Sequence, residues 1–197
     1  LSIQSAVNSF GSIAMAGATV AGNIEGFVYI AMNSVSQGML SFTSQNLGAK
    51  QYKRINAILK NCILALGIIA VISNILVFLF SKSLAGLFTN SEEVVRFARE
   101  RMFIIICPYC IFGLMDILVG GLRGFGYSFQ PMLISLIGIC FTRVFYVLVL
   151  FPLPAFHGLK QLYFSYPVTW VITVSCLWVL YKKVRNTFPN TNEEGVA

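Results

Sequence analysis

Three ionisable residues, Glu25, Asp116 and Arg143, stand at or within long uncharged runs of the sequence. A lone charge at the centre of a bilayer costs on the order of 3 kcal/mol unless it meets a partner or an aqueous cavity. A carboxylate so placed can bind and release a proton or a sodium ion, the chemistry of an ion-coupled path. It can also be silent: Asp116 paired with Arg143 would fix two helices together and bind nothing, and Glu25 lies at the edge of its run, where it is merely interfacial on the blander reading. Glu25 also opens a pattern. Tyr29, Asn33 and Gln37 follow it at intervals of four, so all four share one helix face. Such a polar stripe lines a solute path, the preferred reading, or joins helices through hydrogen bonds. Tyr109, Phe112, Tyr127, Phe129, Tyr146 and Phe151 scatter through the apolar runs and their ends. Aromatic walls suit flat cationic solutes, and they equally pack cores and mark interfaces.

Other chemistries find no constellation. His157 is the only histidine and has no acid near it in sequence, so no nucleophilic triad can be assembled and a zinc site has little support. Cys107-Pro108-Tyr109-Cys110 has the spacing of a redox pair. That pair needs an exposed thiolate at a strand-to-helix boundary, and these two sit between apolar runs, so they read as small hydrophobes. GGLRGFG at 120–126 lacks the lysine and hydroxyl of a phosphate loop. No enzymatic activity, cofactor, metal or nucleic-acid partner is expected.

Composition says what must position the charged residues. Of 197 residues, 57% are hydrophobic and 11% charged, against about 25% charged in a soluble domain. Uncharged segments of more than 18 residues recur, and each can cross the roughly 30 Å hydrocarbon layer as a helix. The expected fold class is all-α, a polytopic membrane protein. Full spans are predicted at 24–46, 60–80, 102–122, 131–151 and 161–181. Residues 1–22, opening at Leu1 without a positively charged leader, read as the middle of a cut helix and not as a signal peptide. Glu92 and Glu93 precede Arg96, Arg99 and Arg101, as the helix dipole favours, so the helix holding 102–122 starts before the bilayer. Pro108, Gly113 and the Gly120-Gly121 pair predict that this helix is bent, and bent helices point to substrate sites in secondary transporters. Pro131 suits the first turn of the next helix.

Alternating spans place the 47–59 segment, the 123–130 segment and the tail on one side. That side gathers Lys50, Lys53, Arg54, Lys60, Arg123, Lys182, Lys183 and Arg185, which the positive-inside rule assigns to the cytoplasm. Residues 1–183 are therefore expected to form a membrane lobe, and 184–197 a frayed, cytoplasmic polar tail.

Three segments in order, NSFGSIAMAG at 8–17, SQGMLSFTSQNLGAKQYKR at 36–54 and GGLRGFGYSFQPM at 120–132, together resemble the second half of the multidrug and toxic compound extrusion (MATE) family. Gln45, Asn46 and Gly48 fall in a segment similar to that family's loop between helices eight and nine. Arg123, Gly124, Gly126 and Pro131 match its R-G-x-G-x-x-x-x-P-M element between helices ten and eleven, with Pro108 breaking the helix before it. The resemblance implies a twelve-helix transporter of two six-helix lobes. This chain would be one lobe, from the end of helix seven to helix twelve, and its partners would be the lipid bilayer, the missing N-terminal lobe and small amphipathic or cationic solutes. It implies export of drugs in exchange for sodium ions or protons across a plasma membrane, bacterial inner membrane being the expected setting. Some members place an acid about three turns before the Arg-Gly pair; here that position is Phe112, with Asp116 one turn later, while Glu25 has a counterpart as an intramembrane acid. A flippase for lipid-linked oligosaccharides and a non-transporting membrane scaffold are the alternative functions.

Overall fold

Uninterrupted apolar sequence without proline becomes very long helices here. The structure, a computed structural model, describes residues 11–150 and 158–189. Helix α1, Ser12–Gly48, has 37 residues and is about 55 Å long at 1.5 Å per residue. It starts at Gly11, whose φ of 95° is open to glycine alone among unstrained residues. The expected boundary near Gly22, between a partial helix and the first full span, does not exist: residues 12–22 and 24–46 are one helix. Interior glycines cost a helix only about 1 kcal/mol each, and Gly17 compensates by seating against Val94, Phe97 and Ala98 of the neighbouring helix.

Helix α2, Tyr52–Gly86, carries the 60–80 run. Its buried residues include Ile55, Cys62, Leu66, Ala70 and Val77, a narrow stripe at helical spacing. Leu64, Ile68, Ile72, Ile75 and Leu79 are exposed on the remaining surface, as lipid contact requires. The predicted bend is present. Helices α3, Glu92–Ile106, and α4, Tyr109–Gly124, meet at 49°, with Pro108 as the cap of α4. Helix α5, residues 129–150, is wound wide over Leu136–Phe141 and Tyr146–Leu150, and α6 covers Leu159–Arg185 with Pro167 inside. Among the described residues four helices are long and apolar enough to cross a membrane, five if the bent α3–α4 pair counts as one span. The fold is all-α and polytopic, as composition required.

Helix α1 packs against α2, α3 and α4, and α4 also packs on α6. Small residues set the α1–α4 distance. A Cβ on Gly120 would stand 2.6 Å from the Ser36 carbonyl oxygen, and one on Gly124 would stand 2.6 Å from the Thr43 Cβ. Close backbone approach through small residues is how helices associate where lipid competes for apolar contact. The approach lets the Ser36 hydroxyl donate to the Asp116 carbonyl at 2.7 Å.

Both helices close with the same turn. After α1, Lys50 takes φ 55°, its N–H donates to the Leu47 carbonyl at 3.0 Å, and the Gln51 N–H donates to Asn46 at 2.8 Å. After α4, Gly126 takes φ 90°, its N–H donates to Arg123 at 2.9 Å, and the Tyr127 N–H donates to Leu122 at 2.9 Å. These are Schellman closures, in which a left-handed residue returns two N–H groups to the last helical turn. The C-terminal segment joins the two. Phe188 stacks on Phe125 at 5.2 Å and on Tyr52 at 6.0 Å. Arg185, buried, donates to Asn56 Oδ1 at 3.0 Å, to the Tyr52 carbonyl at 3.2 Å and to the Phe188 carbonyl at 3.1 Å. The expected fraying from Val184 onward is thus corrected as far as Pro189, because the guanidinium finds a carbonyl cluster that sequence adjacency does not show. The 47–51 turn, the 125–128 turn and the end of α6 lie at one end of the bundle.

Gly120→Ala is expected to lower the apparent Tm in detergent by an amount equivalent to the roughly 1–3 kcal/mol of an overpacked core. Gly22→Ala, where an added Cβ meets nothing within 4 Å, should hold or raise it. Equal effects of the two substitutions would show that the α1–α4 approach is not constrained.

Candidate functional site

The polar stripe of α1 is real as a helix face, but its members end in different settings. Glu25 is buried and doubly bonded. Arg101 Nε donates to Oε1 at 2.9 Å and Nη2 to Oε2 at 3.0 Å, a planar fork on a carboxylate. The Arg101 guanidinium also lies 5.4 Å from the centre of the Tyr163 ring. Glu25 therefore joins α1 to α3, with α6 stacked behind. Its side chain is 11% exposed. Arg101 is the member that sequence reasoning assigned only to a helix start; its signal was its place directly before the apolar run at 102–106.

One turn deeper, the Asn33 amide donates to Tyr29 Oη at 3.3 Å, and Asn33 faces the Asp116 carboxylate. Asp116 Oδ2 is buried and has no hydrogen-bond partner. Gln37, a further turn along, is exposed. Asp116 does not pair with Arg143: among the described residues no ion pair joins them. Instead the Arg143 guanidinium lies over the Tyr166 ring, 4.0 Å from its centre, since α5 brings it against α6 and not against α4.

An aromatic row connects these settings. Tyr29 lies 5.8 Å from Phe112, which stacks on Tyr109 at 5.3 Å and meets Trp170 at 5.4 Å; Trp170 in turn meets Tyr166 at 6.0 Å. The row crosses from α1 through α4 to α6 and ends under Arg143. Tyr109 and Phe112 were legible as candidates. Tyr166 and Trp170 were missed, although their spacing of four puts them on one face. Of the other aromatics, Tyr146 donates its hydroxyl to the Gln161 carbonyl at 2.8 Å, Tyr127 and Phe129 flank the α4–α5 turn, and Phe151 lies outside the described residues, as does His157.

The loop-motif residues build the turns. Gln45 donates to the Ser41 hydroxyl at 3.3 Å and Asn46 to the Phe42 carbonyl at 2.8 Å, so both side chains stay on α1. Gly48 ends α1, yet the left-handed position falls on Lys50. Arg123 is exposed in the last turn of α4, Gly124 meets Thr43, and Pro131 is buried in the first turn of α5. Among the described residues no three His, Cys, Asp or Glu side chains are grouped to hold a metal.

The family model described as MatE matches residues 1–149. The chain belongs to the MatE family. It is 25% identical over 186 residues to "Probable multidrug resistance protein YoeA" of Bacillus subtilis, covering 93% of this chain and 40% of that one. It is 28% identical over 153 residues to a protein named "FAD transporter" from Shewanella oneidensis, covering 74% and 32%. The crystal structure of the Vibrio cholerae MATE transporter VcmN in the bent form superposes with a TM-score of 0.80 at 21% identity, over 93% of this chain and 41% of that chain. The fold is that of MATE transporters, and the chain spans about two fifths of the length of the first of these relatives.

Removing one partner of a buried ion pair strands the other, at about 3–5 kcal/mol. Glu25→Gln and Arg101→Gln should each lower thermal stability in detergent by such an amount, and the double substitution by clearly less than the sum. Additive losses in that cycle would show the pair to be uncoupled.

Proposed function

We propose that this chain is the C-terminal lobe of a secondary active antiporter that exports cationic or amphipathic drugs in exchange for sodium ions or protons. On this reading the five crossings are helices eight to twelve of a twelve-helix protein, and a first lobe of the same polypeptide closes the solute path. The observation that carries the proposal is the half-buried Asp116 carboxylate, whose Oδ2 is shut off from solvent without a hydrogen-bond partner. It sits on the far side of the Pro108 break from Arg101, faces Asn33, and lies one turn from Phe112 at the middle of the aromatic row.

A single carboxylate accommodates one positive charge at a time. A proton or sodium ion and a cationic drug then exclude each other, which is the requirement of antiport. Tyr29, Asn33 and Gln37 would supply polar contacts along α1. Phe112 and Trp170 offer ring faces to a flat cation. Glu25, held by Arg101, would fix one end of the path, and the basic turns at the other end would face the cytoplasm of a plasma membrane.

The test uses the full-length protein in vesicles, with a sodium gradient and a proton gradient imposed separately and ethidium efflux as the readout. Efflux is expected to follow one of the two gradients. Asp116→Asn should reduce that coupled efflux by about tenfold or more, the scale of losing one charge-assisted contact, while membrane insertion is unchanged. Efflux driven by neither gradient, from protein shown to be folded, would favour a lipid flippase or a scaffold instead.

A further inference from the structure

Arg143 is not explained by an exchange of cations, because a fixed positive charge beside the path repels them. It stands inside a membrane-spanning helix, where a charge is kept only at a cost. The Tyr166 ring, 4.0 Å from the guanidinium, favours the cation through its face. Stacking engages the face of the guanidinium and not its edge, which carries its N–H donors. Arg143 Nε is buried without a hydrogen-bond partner. Acids of the other helices face partners elsewhere: Glu25 meets Arg101, Glu100 meets Lys160 at 3.8 Å, and Asp116 faces Asn33. Among the described residues, then, the guanidinium has a ring behind it and no anion in front.

The backbone around it is also unusual. Arg143 lies in the four-residue α-helical piece Thr142–Phe145, between the two wide-wound stretches of α5. Such π-type windings cluster at functional sites. A guanidinium held flat against a ring presents a planar fork that matches a carboxylate or phosphate through two parallel bonds. From Tyr166 the aromatic row runs on to Trp170 and Phe112. A solute anchored by its anionic group at Arg143 would have its rings placed along that row.

We propose that Arg143 is an anion-anchoring residue of the solute path, the group that takes the carboxylate or phosphate of a flat aromatic solute. The inference rests on the transport reading above, but it can fail or stand separately from it. Arg143 and Asp116 then divide the work: the base takes the solute's oxyanion, and the acid takes the coupling ion or a solute cation. Zwitterions satisfy both.

The experiment compares two dyes of one three-ring skeleton in proteoliposomes of the full-length protein: fluorescein, which carries a carboxylate, and a rhodamine ester, which is a cation. The native protein is expected to move both. Arg143→Gln should slow fluorescein by about 10- to 100-fold, as loss of a charge-assisted bidentate contact does, and should not slow rhodamine, which loses only a repulsion; Arg143→Lys should keep part of the fluorescein rate. Equal slowing of both dyes, or a native protein that moves rhodamine and neither moves nor binds fluorescein, overturns the proposal. If neither dye moves, fluorescein anisotropy with the solubilised protein decides. Binding lost in Arg143→Gln upholds the anion site while the transport reading falls. Binding that is absent, or indifferent to Arg143 while the variant's Tm drops, assigns the guanidinium to an acid of the missing lobe and overturns the site.

Discussion

Gly120 and Gly124 bring α4 so near α1 that one methyl group on either would overlap the Ser36 carbonyl or Thr43. Most of the lobe's geometry is referred to that contact. It places Asp116 opposite Asn33, lets Ser36 donate to the α4 backbone, and brings Phe112 within ring contact of Tyr29. It also makes the two helices end side by side, so that one C-terminal phenylalanine can reach both closing turns. In lipid no hydrophobic force drives helices together, so packing at small residues and a few polar contacts must hold the pair. The candidate site is thus a consequence of two glycines that carry no chemistry.

Four charges at or beside the spans are treated in two ways. Glu25 and Arg101 answer each other with two hydrogen bonds and a ring behind, which makes them a tie between helices. A buried pair gains little over apolar packing, because desolvation offsets most of the attraction; what it adds is a fixed register between α1 and α3. Asp116 and Arg143 keep unsatisfied atoms and are not joined to each other. Pairing them would have lowered the cost of both. Their separation puts the base against Tyr166 at one end of the aromatic row and the acid one turn from Phe112 in its middle.

The spans, the bend at Pro108 and the shared end of the two basic turns were legible in the sequence, because each depends on local features: apolar length, a missing N–H, alternating sides. The continuity of α1 was not, since glycine at 17 and 22 weakens a helix without ending it and the compensation at Gly17 comes from α3. The Glu25–Arg101 pair joins residues 76 apart in the chain, and no periodicity reports a contact of that kind. Tyr166 and Trp170 lie in a run whose aromatics all look alike until α4 is seen to face two of them. Gly48 drew attention in the first loop motif, yet the positive φ falls on Lys50, where the bonds to Asn46 and Leu47 make up for a conformation that L residues avoid.

The bend connects these parts. Arg101 belongs to α3 and Asp116 to α4, on opposite sides of the 49° break. Helix α1 touches both, holding α3 through Glu25 and α4 through Ser36. Any change in the angle at Pro108 must therefore shift Arg101 relative to Asp116, strain or release one of the two attachments to α1, and alter the space around Phe112, which lies in the first turn of α4. At the far end, Phe188 and Arg185 bind the end of α6 to the start of α2 and the turn after α4, and resist the same motion there. The Asp116 carboxylate sits between that tied end and the Pro108 break, and α1 packs against the helices on both sides of it.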